Sequence, residues 1–443
     1  MSKGLSVAIN AQFHPGPGTG GVETAVRELV HALGKLSEID DGAEEYLIVG
    51  PWSDPEWLSP FLAGRQRIVR GAPPEEPPRK NLLQYASGPL LTAYHKVQAA
   101  CTSATPSPPF VDWLGVPGGS TFFNGLGCDM VHFPFQPFVP CNAPTVYNPH
   151  DLQHLHFPQF FLPAEIKRRE AIYRAGCRRS HTVVVASNWT RNDVVERYQV
   201  PLDKVQIIPW APPAQRSLDL SSAAVAAVRT KYDLTESFAL YPAATWEHKN
   251  HLRLLEAVAL LRQRAQLNVE IICTGVITSH FDRIKTRRKA LGMEREVRFI
   301  GHVPGADLSA LYRAAQFVFI PTLFEAASAP LFEAWQHDTP AACSSVTSLP
   351  EQAAGAGLLF DPLSVEEMAA ALARMTSEST LRETLRLRGQ RRLNDFSFER
   401  TARAYRAVYR RAARRELSEE DRSILSRDWM WESAKVNEAK PNE

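Results

Sequence analysis

Two successive series of short apolar runs, each run followed by a stretch of helical periodicity, constrain this chain more than any other feature. LSVAIN (5–10) leads through a glycine-rich loop into VETAVRELVHALGKL (22–36), and then YLIVG follows (46–50). In the middle stretch Val22, Ala25, Val26, Leu29, Leu33 and Leu36 recur at helical spacing. A strand–helix–strand order of this kind gives parallel pairing under the usual connection rules. HTVVVAS (181–187), RNDVVERYQV (191–200) and KVQIIPWAPP (204–213) extend the first series. A second series opens at FALYPAAT (238–245) and runs through HLRLLEAVALLRQRA (251–265), NVEIICTG (268–275), VRFIGHV (297–303), QFVFIPT (316–322) and PAACSS (340–345). Late helices are predicted over 364–375, 379–393 and 396–413. The expectation is two α/β units, with ligands beyond the C-terminal ends of the strands and in the cleft between the sheets.

The 443 residues exceed what one growing core accommodates, in keeping with two units. The expected division is a first domain over 1–211, a linker over 212–236 and a second domain over 237–395. A helix is expected over 396–415, and a highly charged tail over 416–443 is expected to lack structure. The Pro-rich stretches APPEEPP (72–78) and TSATPSPP (102–109) read as loops or insertions. Hydrophobic residues at 44% and charged residues at 22% form an ordinary globular balance, and a net charge of +2 gives no pull toward nucleic acid. Six scattered cysteines, none at C-x-x-C spacing, argue against a zinc knuckle and fit a reducing compartment. MSKGLSVAIN reads as a first strand rather than a signal peptide, and no segment approaches the ~18 apolar residues of a membrane span. The expected location is the cytoplasm.

Several strand ends carry groups suited to chemistry. In HPGPGTGGVE (14–23), Gly16, Gly18 and Gly21 spell G-x-G-x-x-G. A dinucleotide-binding loop turns at once after its strand, whereas here AQFHP intervenes, Pro17 sits inside the motif, and no acidic residue ends the second strand. The dehydrogenase reading therefore fits poorly. Enrichment in Gly and Pro also suits an ordinary surface loop, while Gly20 and Gly21 would let a backbone approach an anion at the following helix N-terminus.

PTLFEAASAPLFEA (321–334) runs from strand through loop into a helix expected near Pro330, with Glu325 in the loop and Glu333 in the first helical turn. Backbone N–H groups of Ser328, Ala329, Pro330 and Leu331 are candidates for holding a diphosphate, and a carboxylate suits a sugar or ribose diol. Ser328 as a capping residue, with Glu333 favourable to the helix dipole, is the structural alternative. In YPAATWEHKN (241–250), Lys249 stands before a helix, where its charge suits phosphate and is otherwise mildly unfavourable. His150, Asp151, His154 and His156 lie close together, but their spacing and Pro149 and Pro158 speak against a metal site. His150 and Asp151 could instead serve a substrate oxygen, with His150 donating.

GTGGVE, NPHDLQH, YPAATWEHKNHLRLLEA, PTLFEAASAPLFEA and CSSVTSLPEQAA, in that order, resemble the family 4 retaining glycosyltransferases of the GT-B fold over nearly all of the chain to about Ala412. The resemblance implies two Rossmann-like domains facing across a cleft, with a C-terminal helix crossing back onto the first. It implies a nucleotide-sugar donor held mainly by the second domain and an acceptor held mainly by the first. Glu325 would hold donor-sugar hydroxyls, Glu333 the ribose hydroxyls, Lys249 the diphosphate, and His150 the vicinity of the transferred sugar. Gly20 and Gly21 match the loop that closes on the phosphates, and Pro350 and Glu351 match a stretch near the base. The family's arginine five residues before the lysine is Ala244 here, and its glycine-rich linker reads Ala326, Ala327, Ser328, Ala329. Alanine in a left-handed conformation would cost roughly 1 kcal/mol or more. HKNH resembles mannosyl-type polysaccharide enzymes and hints at GDP-mannose. The absence of a D-x-D string favours a route without metal or other cofactor.

The expected activity is thus hexosyl transfer to a glycan or lipid-linked acceptor, with leaving-group stabilisation as the main requirement. The alternatives are a nucleotide-sugar epimerase or hydrolase of the same fold, and a non-catalytic sugar-nucleotide-binding protein. A basic helix carrying Lys167, Arg168, Arg169, Arg174, Arg178 and Arg179 suggests peripheral contact with the inner face of a membrane, or simply a solvated face.

Overall fold

The computed structural model describes residues 4–13, 20–39, 44–73, 119–212, 221–265 and 267–427. In the first unit, β1 (Leu5–Asn10), α1 (Gly20–Ile39), β2 (Glu44–Gly50) and β3 (Gln66–Arg70) are followed by α2 (Gly119–Gly125), β4 (Met130–Phe133) and β5 (Thr145–Tyr147). Helices α3 (Gln153–His156) and α4 (Pro163–Arg179), β6 (Thr182–Val185), α5 (Asn188–Tyr198) and β7 (Val205–Ile207) complete it. The seven strands form one sheet in the order β3-β2-β1-β4-β5-β6-β7, every pair parallel. β1, β4, β5 and β6 are buried almost throughout, which is why they read as unbroken apolar runs.

The second unit begins with α6 (Ser222–Lys231), then β8 (Ala239–Pro242), α7 (His251–Ala265), β9 (Ile271–Thr274), α8 (Phe281–Leu291) and β10 (Val297–Gly301). It continues through α9 (Gly305–Ala314), β11 (Phe317–Ile320), α10 (Ala329–Gln336), β12 (Ala341–Ser344), α11 (Leu349–Ala353) and β13 (Leu358–Phe360). Its sheet has the order β10-β9-β8-β11-β12-β13, again wholly parallel. Helices α12 (Val365–Ser377) and α13 (Ser379–Leu393) cover it. Close packing here uses a glycine: a Cβ on Gly389 of α13 would collide with the Trp335 ring of α10.

Helix α14 (Phe398–Ala412) crosses back to the first unit, as expected, and packs along α1. Ser397 caps it, its Oγ accepting from the Arg400 N–H. Its apolar face enters the core with Leu29, Val30 and Leu33. Its Tyr405 and Tyr409 join a buried network: Asn148 Nδ2 donates to Tyr405 Oη at 2.6 Å, His132 Nε2 meets Asn148 Oδ1 at 2.8 Å, and Tyr409 Oη meets His132 Nδ1 at 2.8 Å. Burial holds the His132 imidazole down at about 4, so it is neutral near pH 7.

Two expectations are corrected here. The stretch read as a linker contains α6, which packs on α9 as part of the second unit, while 213–220 lie outside the described residues. The tail is ordered over its first part: α15 (Glu419–Ser426) carries a reciprocal capping box between Ser418 and Asp421. Arg410 binds Glu44 at 2.6 Å and Asp421 at 3.0 Å, tying α15 to α14 and β2. Charge there is paired rather than solvated, which composition could not reveal. Residues 428–443 lie outside the described residues, as do His14 to Thr19, including Gly16 and Gly18, and nearly all of both Pro-rich stretches.

Candidate active site

A cavity of about 260 Å³ opens between the C-terminal ends of the two sheets. The first unit lines it with Gly21, Val22, Gln136, His150, Asp151, Gln153, Ala186 and Trp210. The second unit contributes His248, Lys249, Phe324, Glu325, Ala326, Ala327, Ala329 and Pro330. Parallel sheets with helices on both faces leave only their strand ends open, so side chains just past those ends converge here.

Lys249 and Glu325 form an ion pair, Nζ to Oε2, at 2.8 Å. The backbone fixes both. Tyr241 Oη donates to the Lys249 carbonyl at 2.6 Å, and Asn250, left-handed at φ 62°, reverses the chain into α7. Asn250 Nδ2 donates to the carbonyls of Pro321 and Pro362, and the Leu323 N–H donates to the His248 carbonyl at 2.7 Å. The lysine loop is therefore bolted to the glutamate loop. Thr347 and Ser348 hydroxyls donate to the Glu325 carbonyl at 2.6 and 2.7 Å.

His150 follows β5 and is left-handed, at φ 65°. Such strain in a residue other than glycine persists only where the surroundings enforce it, and it concentrates at functional sites. Its ring lies perpendicular to Trp210, with centroids 5.4 Å apart, and its Nε2 is buried without a partner. Burial holds its pKa down at about 4, against a smaller upward pull from the Pro134 carbonyl. The imidazole is neutral near pH 7, and its ring N–H donates to the Pro134 carbonyl. That leaves Nε2 as an acceptor, where the sequence suggested a donor.

The anion cradle differs from expectation in four ways. Gly20 and Gly21 are not in a loop but begin α1, and Gly21 lines the cavity. A Cβ on Gly21 would lie 3.2 Å from Trp210. Ser328 precedes α10 without capping it: its N–H donates to Gln352 Oε1 and its carbonyl accepts from Gln352 Nε2, both at 2.8 Å. Pro330 has no N–H, so the free backbone donors of that turn reduce to Ala329 and Leu331. The alanine loop contains no left-handed residue, so the expected strain is absent.

Glu333 sits in the second turn of α10 rather than the first and does not line the cavity. Tyr312 Oη donates to its Oε2 at 2.5 Å, and burial pushes its carboxyl above the usual range. Glu351, matched to a stretch near the base, reaches the first unit. Its two oxygens accept from the backbone N–H groups of Trp189 and Asn188, at 2.8 and 3.0 Å. It thus caps the N-terminus of α5 across the cleft, on the helix dipole's positive end. Beside it, Phe324 packs on His156, Phe157 and Trp189 of the first unit. The remaining histidines are not gathered: His154 bonds Glu170 and His156 bonds Asp193.

The sequence did not single out Gln136, Gln153, Trp210 or Phe324. Trp210 lies just past β7, so the rule that pointed to Lys249 would also have found it; the two glutamines carried no signal.

Two family models match: "Glycosyltransferase Family 4" over residues 120–211 and "Glycosyl transferases group 1" over residues 228–392, together more than half of the chain. The chain is 27% identical over 251 residues to the O-antigen chain mannosyltransferase B of Escherichia coli, covering 56% of this chain and 66% of that one. It is 32% identical over 167 residues to a D-inositol 3-phosphate glycosyltransferase of Salinispora arenicola, covering 35% and 37%. Less than two thirds of either relative is thus spanned. In fold it is similar to Anabaena HepE, solved in complex with UDP and glucose, with a TM-score of 0.61 at 14% identity over 91% of this chain and 99% of that one. Two parallel sheets meeting at their C-terminal ends, a helix crossing back between them, and these matches lead to one conclusion: the chain belongs to the group 1, family 4 glycosyltransferases of the GT-B fold.

Proposed function

We propose that the chain is a retaining, metal-independent hexosyltransferase that moves mannose from GDP-mannose to a glycan acceptor. The observation that carries this reading is the meeting of Lys249, Glu325 and His150 in one cavity between the sheets. The mannosyltransferase relative and the HKNH string support the choice of donor. Lys249 and the N–H groups of Ala329, Leu331 and Gly21 offset charge on the diphosphate as the glycosyl bond breaks. They stand in place beforehand, so little reorganisation is needed. Glu325 accepts from donor-sugar hydroxyls and meanwhile holds Lys249. His150 accepts from a hydroxyl of the transferred sugar through Nε2. Glu333, with Oε2 taken by Tyr312, has Oε1 for a ribose hydroxyl.

Initial rates of transfer from GDP-mannose, with and without a chelator, test the proposal, and the anomeric configuration of the product is read by NMR. Transfer unchanged by chelator, with the anomer preserved, is expected. Inversion or chelator-sensitive transfer overturns the mechanism, and donor consumption indifferent to acceptor shifts the reading to a hydrolase. Binding of GDP-mannose at 100 times its Kd should also stabilise the fold by about 2.7 kcal/mol.

Peripheral membrane contact belongs to the same proposal. Among the described residues no helix is long and apolar enough to cross a membrane. Helix α4 carries six basic residues against Glu165 and Glu170, which pair with Arg169 and Arg174. Salt-sensitive sedimentation with anionic vesicles is expected, and no binding at low salt would exclude this attachment.

A further inference from the structure

The first unit's wall of the cavity carries more hydrogen-bonding capacity than the donor roles above consume. Asp151 and Gln153 follow His150 directly, and their loop is pinned: the Gln153 N–H donates to Asp151 Oδ1 at 2.9 Å, and the Asp151 N–H donates to the Pro149 carbonyl at 2.9 Å. Gln153 Nε2 is buried and has no partner. The Trp210 ring stands between His150 and the start of α1 and completes the wall with an aromatic face.

These groups mix donor and acceptor in one place. Gln153 Nε2 can only donate, a carboxylate at Asp151 can only accept, and neutral His150 presents an acceptor at Nε2. One acceptor hydroxyl satisfies Gln153 and Asp151 together, because it both accepts and donates, while His150 Nε2 takes its proton from a hydroxyl of the transferred sugar beside it. A phosphate oxygen satisfies only Gln153 and meets the Asp151 carboxyl as a like charge. Among the described residues no cation of the first unit lines the cavity, and Arg169, the cation acting on Asp151, holds Glu165 at 2.9 Å. Leaving a buried polar group without its partner costs about 1–3 kcal/mol, so a ligand that completes the set is selected over one that does not.

We propose that Asp151, Gln153 and Trp210 form the acceptor subsite, and that it takes the neutral, hydroxylated face of a sugar residue rather than an anionic headgroup. This rests on the glycosyltransferase reading above but not on the identity of the donor. The sugar's hydroxyls accept from Gln153 Nε2 and donate to Asp151, while its C–H face lies on the Trp210 indole.

The test is binding, which needs no turnover. Saturation-transfer NMR of the full chain with GDP present is recorded against a neutral mannose disaccharide, with D-inositol 3-phosphate as competitor. Disaccharide binding is expected, unaffected by an equal concentration of inositol phosphate and weakened at least tenfold in both Asp151→Asn and Gln153→Ala. Displacement by inositol phosphate on the unmodified chain, no disaccharide binding, or unchanged binding in variants that keep their thermal midpoint overturns the proposal. If the disaccharide binds as expected while neither GDP nor GDP-mannose does, the donor reading fails and the subsite stands.

Discussion

Lys249 and Glu325 meet at 2.8 Å, and this contact has a consequence that neither residue carries alone. Each neutralises the other, and the pairing holds the Lys249 ammonium in place beside the sugar-binding carboxylate. Lys249→Ala removes the charge that offsets the leaving diphosphate, so the transfer rate should fall on the order of 100- to 1,000-fold, the cost of losing one preorganised donor to developing charge. The loop is held by Thr347 and Ser348 rather than by the ion pair, so the thermal unfolding midpoint should move by only a few degrees. Initial rates and a melting curve on the same sample check both parts; a collapse of the midpoint would make the lysine structural. Both positions were legible in the sequence because both end strands. Their pairing was not: it joins residues 76 apart and depends on which strands become neighbours.

At the scale of elements, α10 and α11 are governed by contacts across the fold. Gln352 of α11 holds the backbone of Ser328 from both sides, and Arg392 of α13 donates to the Gln352 and Glu351 carbonyls. Glu351→Ala removes the carboxylate from the N-terminus of α5. Losing such a cap costs about 1 kcal/mol, and because the cap comes from the opposite unit, the units should also separate more readily. A lower denaturation midpoint together with a larger radius of gyration in X-ray scattering is expected; a lower midpoint with unchanged scattering would mean the contact does not hold the units together. Gly389→Ala would drive a methyl into Trp335 and should destabilise by about 1–3 kcal/mol, as overpacking does, and weaken donor binding through α10. Denaturant unfolding and calorimetry with GDP read the two effects separately.

The whole molecule buries neutral histidines: His132 and His150 are held at about 4, His251 at about 3 and His248 at about 2, in each case chiefly by loss of hydration. Unfolding restores an ordinary pKa near 6.5, so below that pH the unfolded chain takes up protons that the folded chain refuses. Stability is therefore full above about pH 6.5 and falls as pH drops toward 4, each histidine adding about 1.4 kcal/mol per pH unit. Glu170, depressed to about 2, extends the loss below 4.5, whereas the raised carboxyls of Glu333 and Asp151 act with the opposite sign. Denaturant unfolding at pH 8, 6.5, 5.5 and 4.5 should show this acid loss with net proton uptake. Stability constant across that range would mean the histidines are charged in the fold.

The order of residues by itself determined the two parallel sheets, the existence of the last helix and three groups of the cavity; where that helix returns came only from the family resemblance. Apolar runs too short for helices must be buried strands, and in parallel sheets the strand ends are where polar residues gather. The tertiary structure alone decided what those groups do with one another. It turned His150 into a neutral acceptor by burying it, gave the Ser328 N–H to Gln352, tied one oxygen of Glu333 to Tyr312, and sent Glu351 across the cleft to cap α5. Hydration, hydrogen-bond competition and distance belong to neighbours brought together by folding, and a position in the chain carries none of them.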